Sequence, residues 1–119
     1  MGKFYIDGGM RLQGALRIQG GKNAVLPILA ATVLNGDISY IHDCPQIVDV
    51  LTMINILERI GCNVKWEGKT LIVDSSTVSS YEVPEDLVRE MRSSIIFMGP
   101  MLARCGKVTI SYPGGCIPL

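Results

Sequence analysis

The sequence predicts an α/β fold, and three observations carry that prediction. Apolar positions switch between helical and alternating spacing along the chain, glycines and prolines punctuate nearly every switch, and one helix–glycine–strand pattern occurs twice, seventy positions apart. With 119 residues, 48% of them hydrophobic, the chain is long enough for one modest domain with a real core. A mean hydropathy of +0.33 fits a soluble α/β domain and excludes a disordered chain.

Residues 4–6 and 15–18 are short and apolar, and read as strands bounded by Asp7-Gly8-Gly9 and Gly20-Gly21. Residues 24–34 form an alanine-containing apolar run that predicts a buried helix, with Asn35-Gly36 as its stop. Pro27 belongs in a first turn, so that helix should begin near Lys22 or Asn23. A strand follows at 37–42, with Ile38, Tyr40 and His42 on one face. Pro45 opens a second helix, whose apolar positions Ile47, Val50, Leu51, Ile54, Leu57 and Ile60 recur at helical spacing until Gly61.

Residues 62–66 and 70–74 predict a hairpin turning at Glu67-Gly68-Lys69, and 75–80 a polar connection. Pro84-Glu85-Asp86 starts a third helix, with proline and acids in its first turn. That helix should present Leu87, Val88, Met91, Ile95 and Met98 on one face, then kink or break at Gly99-Pro100. Residues 107–111 read as a strand running into Tyr112-Pro113-Gly114-Gly115-Cys116. Trp66 and Tyr112 are expected to pack.

Composition removes several functions. Eleven basic and eleven acidic side chains leave a formal net charge of zero, which argues against a general nucleic-acid binder. The cysteines, Cys44, Cys62, Cys105 and Cys116, form no Cys-x-x-Cys pair, and His42 is the only histidine, so no zinc site is expected. The glycine pairs match neither a dinucleotide nor a nucleoside-triphosphate loop, and no cofactor is expected. The longest apolar run is too short for a bilayer, which needs ~20 residues. With no leader-like segment, the chain reads as cytoplasmic, with reduced thiols and no membrane partner.

The repeat lays Lys22-Asn23-Ala24-Val25-Leu26 over Arg92-Ser93-Ser94-Ile95-Ile96, and Asn35-Gly36-Asp37-Ile38 over Cys105-Gly106-Lys107-Val108. Lys22 and Arg92 thus hold equivalent places near two helix starts. Two related units can aim two cations and their helix amides at one anion; two solvated surface cations are the alternative. Cys116 follows two glycines, and an exposed thiol there can donate a proton, accept one or attack. A buried, inert thiol is the alternative, and it is the reading adopted for Cys44, Cys62 and Cys105.

The segments Leu12-Gln13-Gly14, Gly21-Lys22-Asn23-Ala24-Val25-Leu26-Pro27, Glu90-Met91-Arg92-Ser93-Ser94 and Pro113-Gly114-Gly115-Cys116 occur in one order along nearly the whole chain. Together they resemble the enolpyruvyl transferases, and within them the UDP-N-acetylglucosamine 1-carboxyvinyltransferases of peptidoglycan synthesis. The sister 3-phosphoshikimate 1-carboxyvinyltransferases are similar at the lysine, but typically carry Lys-Ser where Lys22-Asn23 stands and lack the Pro-Gly-Gly-Cys loop.

The resemblance implies a truncated, partial inside-out α/β barrel of repeated βαβαββ units. Residues 1–21 would be strands of a second domain, 22–75 a first unit, and 76–119 the start of a second unit ending at the active-site loop. It implies phosphoenolpyruvate and UDP-N-acetylglucosamine as substrates. Lys22 and Asn23 would hold phosphoenolpyruvate, Arg92 would line the UDP-sugar site, and Cys116 would be the loop thiol that acts as general acid and is alkylated by fosfomycin. The Arg-Pro that follows this loop in the family does not appear in Ile117-Pro118-Leu119. The chain is therefore expected to be an N-terminal fragment without turnover of its own, whose uncovered edges favour self-association. A non-catalytic, self-associating α/β domain and a fragment of the shikimate-pathway transferase are the competing readings.

Overall fold

The computed structural model describes residues 2–18 and 20–111. Its elements run α1 (Lys22–Ala31), β1 (Ile38–Ile41), α2 (Val48–Arg59), β2 (Asn63–Glu67), β3 (Thr70–Asp74), α3 (Glu85–Glu90), a 3₁₀ helix (Arg92–Phe97) and α4 (Met98–Cys105).

The three strands form one antiparallel sheet in the order β1-β3-β2. The β2–β3 hairpin turns at Gly68, whose φ of 60° is left-handed, and registers Trp66 against Leu71 and Val64 against Val73. β1 adds to the far side of β3, with Ile41 opposite Leu71. Period-two alternation then sorts the faces. Ile41, Val64, Trp66, Leu71 and Val73 point into the core. Ile38, Tyr40 and His42 do share a face, as the sequence predicts, but it is the solvent side.

The helices cover the inner face. α2 is amphipathic and buries Val50, Met53, Ile54, Ile56 and Leu57, while α1 buries Val25, Leu26, Leu29 and Ala30. The two pack on each other, and the 3₁₀ helix packs on α1 with Phe97 fully buried. Fully buried side chains of this size each contribute on the order of 1.5–3 kcal/mol by leaving water. Arg104, near the end of α4, donates from Nη1 to the Val33 carbonyl at 2.7 Å. This ties the end of α4 to the segment that follows α1.

Four expectations need correction. Residues 4–6 and 15–18 lie outside regular structure, with Phe4, Ile6 and Leu16 more than 80% exposed. Strand propensity needs a partner strand to become structure, and no partner lies beside them among the described residues. Pro27 sits inside α1 rather than in its first turn. It has no N–H to offer, so the Asn23 carbonyl goes without its helical donor.

The third helix breaks at Met91, which is extended (φ −150°, ψ 123°), and not at Gly99-Pro100. The Ser94 hydroxyl, fully buried, donates to the Met91 carbonyl at 2.7 Å and the Val88 carbonyl at 3.2 Å, taking acceptors that a continuing helix would use. Pro100 falls in the first turn of α4, where its missing N–H costs nothing. Residues 107–111 make a single parallel bridge, Thr109 with Glu82, rather than a strand.

Candidate functional site

Lys22 is the first residue of α1, preceded by Gly21 in an extended conformation (φ −77°, ψ 137°). Gly21 provides no side-chain cap, and the first turn contains no acid. The first intrahelical bonds run from Ala24 and Val25 to the Gly21 carbonyl, so the amides of Lys22 and Asn23 lie ahead of them. A cation at this end of a helix faces the positive pole of the dipole, the unfavourable arrangement for stability and the favourable one for an anion. The Lys22 ammonium meets one counter-charge, Asp49 Oδ2 at 2.8 Å, in the first turn of α2. Asn23, next along, is exposed.

Arg92 opens the 3₁₀ helix behind an extended Met91, as Lys22 opens α1 behind an extended Gly21. Fourteen residues beyond each cation stands a left-handed glycine, Gly36 at φ 62° and Gly106 at φ 79°. The two helix starts belong to helices that touch. The structure thus packs the helix that begins with Lys22 and Asn23 against the one that begins with Arg92. The Arg92 side chain and residues 112–119, including Tyr112 and Cys116, lie outside what is described.

Asp49 was not singled out by the sequence. Its signal, an acid in the first turn of an amphipathic helix, is common and says nothing about a distant partner. Thr52, one turn on and 5% exposed, hydrogen-bonds Glu90 Oε2 at 3.4 Å, two residues ahead of Arg92. One edge of α2 therefore reaches both cation-bearing approaches.

Cys44 and Cys62 are buried, as expected of inert thiols, whereas Cys105, given the same expectation, is only half-buried at the end of α4. Burial pushes the Cys62 thiol up from its ordinary 9.0 to about 11, a rise that Arg104 opposes. The raised value favours the native state while the thiol stays protonated, below pH 9. That contribution is lost as pH rises through 9 toward 11, on the order of 1–3 kcal/mol. Urea denaturation at pH 8 and pH 11 should show a drop in the native chain that Cys62→Ala lessens; an equal drop in the variant refutes the coupling. His42 Nδ1 is 3.1 Å from Thr70 Oγ1 on the exposed side of the sheet. Among the described residues no His, Cys, Asp and Glu group is placed to hold a metal ion.

Two concavities lie elsewhere among the described residues. One, of about 400 Å³, is lined by Arg17, Asp43, Cys44 and Lys69; another, of about 480 Å³, by Arg59, Glu82, Glu85 and Thr109. Neither includes Lys22 or Asn23, both of which are exposed.

Known proteins resemble this chain along most of its length. The family model described as EPSP synthase (3-phosphoshikimate 1-carboxyvinyltransferase) matches residues 6–117. A UDP-N-acetylglucosamine 1-carboxyvinyltransferase 2 from Caldanaerobacter subterraneus is 53% identical over 98% of the chain, and its namesake from Acinetobacter baylyi 43% over 98%. The chain spans 28% of the length of each. The crystal structure of the enolpyruvyl transferase NikO from Streptomyces tendae superimposes with a TM-score of 0.70 at 31% identity, covering 83% of this chain and 23% of that one. A family match over residues 6–117, and a backbone shared over 83% of the chain, place the chain in the EPSP synthase family of enolpyruvyl transferases.

Proposed function

We propose that this chain supplies the N-terminal part of a site that moves the enolpyruvyl group of phosphoenolpyruvate to the 3′-hydroxyl of UDP-N-acetylglucosamine, the first committed step of peptidoglycan synthesis. The observation that carries the reading is Lys22, a cation set at an uncapped helix N-terminus with no acid in its own turn. It stands in a chain whose relatives bear the name of that transferase.

Each residue has a part. Lys22 and the leading amides of α1 hold the phosphate or carboxylate of phosphoenolpyruvate, with Asn23 beside them. Cys116 protonates the methylene carbon, which gives the adjacent carbon oxocarbenium character. The sugar hydroxyl attacks there, and the tetrahedral ketal loses phosphate to leave the enolpyruvyl ether. Arg92 lines the UDP-sugar side. Fixed cations suit this chemistry because charge on the phosphate and carboxylate must be held throughout, and preorganised charge is often the largest catalytic contribution.

The finer architecture belongs to the same proposal: an inside-out barrel of βαβαββ units, with 1–21 given to a second domain, 22–75 as one unit and 76–119 as the start of the next. The matching glycines at 36 and 106, and the matching helix starts at 22 and 92, support it. A cytoplasmic location follows from the reading; among the described residues no helix is long and apolar enough to cross a membrane.

The experiment is a chimera in which residues 2–116 replace the matching quarter of the Caldanaerobacter relative. Phosphate release from phosphoenolpyruvate should then depend on UDP-N-acetylglucosamine and be lost in Cys116→Ser. Release that depends on shikimate 3-phosphate instead would favour the sister transferase, and no release with either would sink the reading. Association between copies is the second reading, favoured by Phe4, Tyr5, Ile6, Leu12 and Leu16, all at least 85% exposed. Sedimentation of the 119-residue chain as a monomer at rising concentration would exclude it.

A further inference from the structure

We propose that Asp49 is a positioning residue for Lys22: its carboxylate holds the ammonium at the mouth of α1 until an anion takes over the contact. The proposal rests on the transferase reading above and adds a residue to its machinery.

The geometry begins with how the two helix starts meet. Gly20 leads into α1 and lies against the turn that leads into α2. A Cβ at Gly20 would stand 3.1 Å from the Asp43 carbonyl and 3.4 Å from Pro45 Cδ. The close approach brings the first turns of α1 and α2 near each other, and the two helices pack on one another. Lys22 opens one and Asp49 sits in the first turn of the other, 2.8 Å apart at Nζ and Oδ2.

The two partners are unequal. Asp49 sits at the pole of α2 that favours a carboxylate, and its side chain is 26% exposed. Lys22 sits at the pole of α1 that disfavours an ammonium, and its side chain is 54% exposed. The carboxylate is therefore the fixed member and the lysine the member being held. A four-carbon side chain left free would spread its charge over many rotamers. Tethered, it keeps the ammonium beside the leading amides of α1, where an anion would gather both.

Stability does not account for the pair. Half-exposed ion pairs contribute about 0–1 kcal/mol at most. Asp49 also bears a charge that repels an incoming anion. Removing it should relieve that repulsion while loosening the lysine, so binding and turnover should move apart. A merely structural residue would move them together.

The test has two arms. In the chimera, Asp49→Asn should lower kcat about ten- to a hundredfold without raising the KM for phosphoenolpyruvate, and Asp49→Glu should recover part of the loss. In the 119-residue chain, NMR of the lysine ammonium groups should show Lys22 restrained relative to Lys3, and released in Asp49→Asn. A full kcat in Asp49→Asn, or a loss expressed through KM alone, overturns the proposal. So does a Lys22 ammonium that Asp49→Asn leaves equally restrained. A wild-type chimera without turnover overturns the transferase reading instead, and the ammonium measurement then decides the Asp49 contact by itself.

Discussion

Lys22→Ala is expected to lower turnover of the chimera by about a hundred- to a thousandfold, a loss of ~3–4 kcal/mol in transition-state stabilisation. The size follows from where the charge sits. An ammonium at an uncapped helix start acts together with the Lys22 and Asn23 amides, and no acid in the first turn of α1 offsets it. Among the described residues Asp49 balances it, across 2.8 Å. In the proposed reaction the anion changes its charge distribution as the phosphate departs, so a fixed cation contributes most where the leaving group forms. Lys22→Arg should recover only part of the loss, because a planar guanidinium cannot occupy the place of a compact ammonium. Lys65→Ala, an exposed lysine on the outer face of β2, should stay within about twofold and gives the comparison for any surface cation. The rates of these variants decide the matter. A Lys22→Ala rate no lower than that of Lys65→Ala would remove Lys22 from the site.

Most of this fold is written in short-range signals, and those signals held. Helical spacing from Val50 to Leu57 and the closing Gly61 define α2, and the alternation on both sides of Gly68 defines the hairpin. Pro84 and two acids start α3 where expected. Each of these features depends on the residue and its immediate neighbours. The failures are of another kind. Residues 4–6 and 15–18 have the composition of strands, but a strand is a relation between two segments, and local pattern cannot provide the second. The break at Met91 depends on where one hydroxyl points, because Ser94 captures two carbonyls that the helix needs. Gly99-Pro100 looked like the stronger breaker, yet a proline in a first turn is a starter. The order β1-β3-β2 arises from pairing across thirty residues, which no local pattern encodes.

The candidate site divides along the same line. Lys22 and Arg92 were legible as helix-start cations because each precedes an apolar helical run and a later glycine, Gly36 or Gly106, marks the end of its unit. Asp49 was not legible, since its meaning depends on α1 and α2 starting side by side. Nor was the contact from Arg104 to the Val33 carbonyl, which joins residues seventy-one apart.

Gly61→Ala should be the most damaging glycine-to-alanine change among the described residues, costing about 2–5 kcal/mol. Two costs combine. Gly61 has φ of 113°, beyond the left-handed region that other residues tolerate, and such strain is worth about 1–3 kcal/mol. An added Cβ would also stand 2.5 Å from the Thr77 carbonyl oxygen and 2.8 Å from the Ser79 amide nitrogen. Neither can withdraw cheaply, because the 75–80 connection is stitched to the end of α2. The Ser79 amide donates to the Ile60 carbonyl at 2.9 Å, and Thr77 Oγ1 donates to the Gly61 carbonyl at 2.5 Å. Relief of the clash would pull the connection off the helix end and break those bonds. Gly68→Ala separates the two costs. Gly68 is left-handed at φ 60° but has nothing within 4 Å of the added carbon, so it should lose only the conformational part, about 1 kcal/mol. Urea denaturation should place the Gly61→Ala midpoint well below that of Gly68→Ala, with the slope unchanged. Equal midpoints would show that the connection gives way freely, and that it does not brace the end of α2.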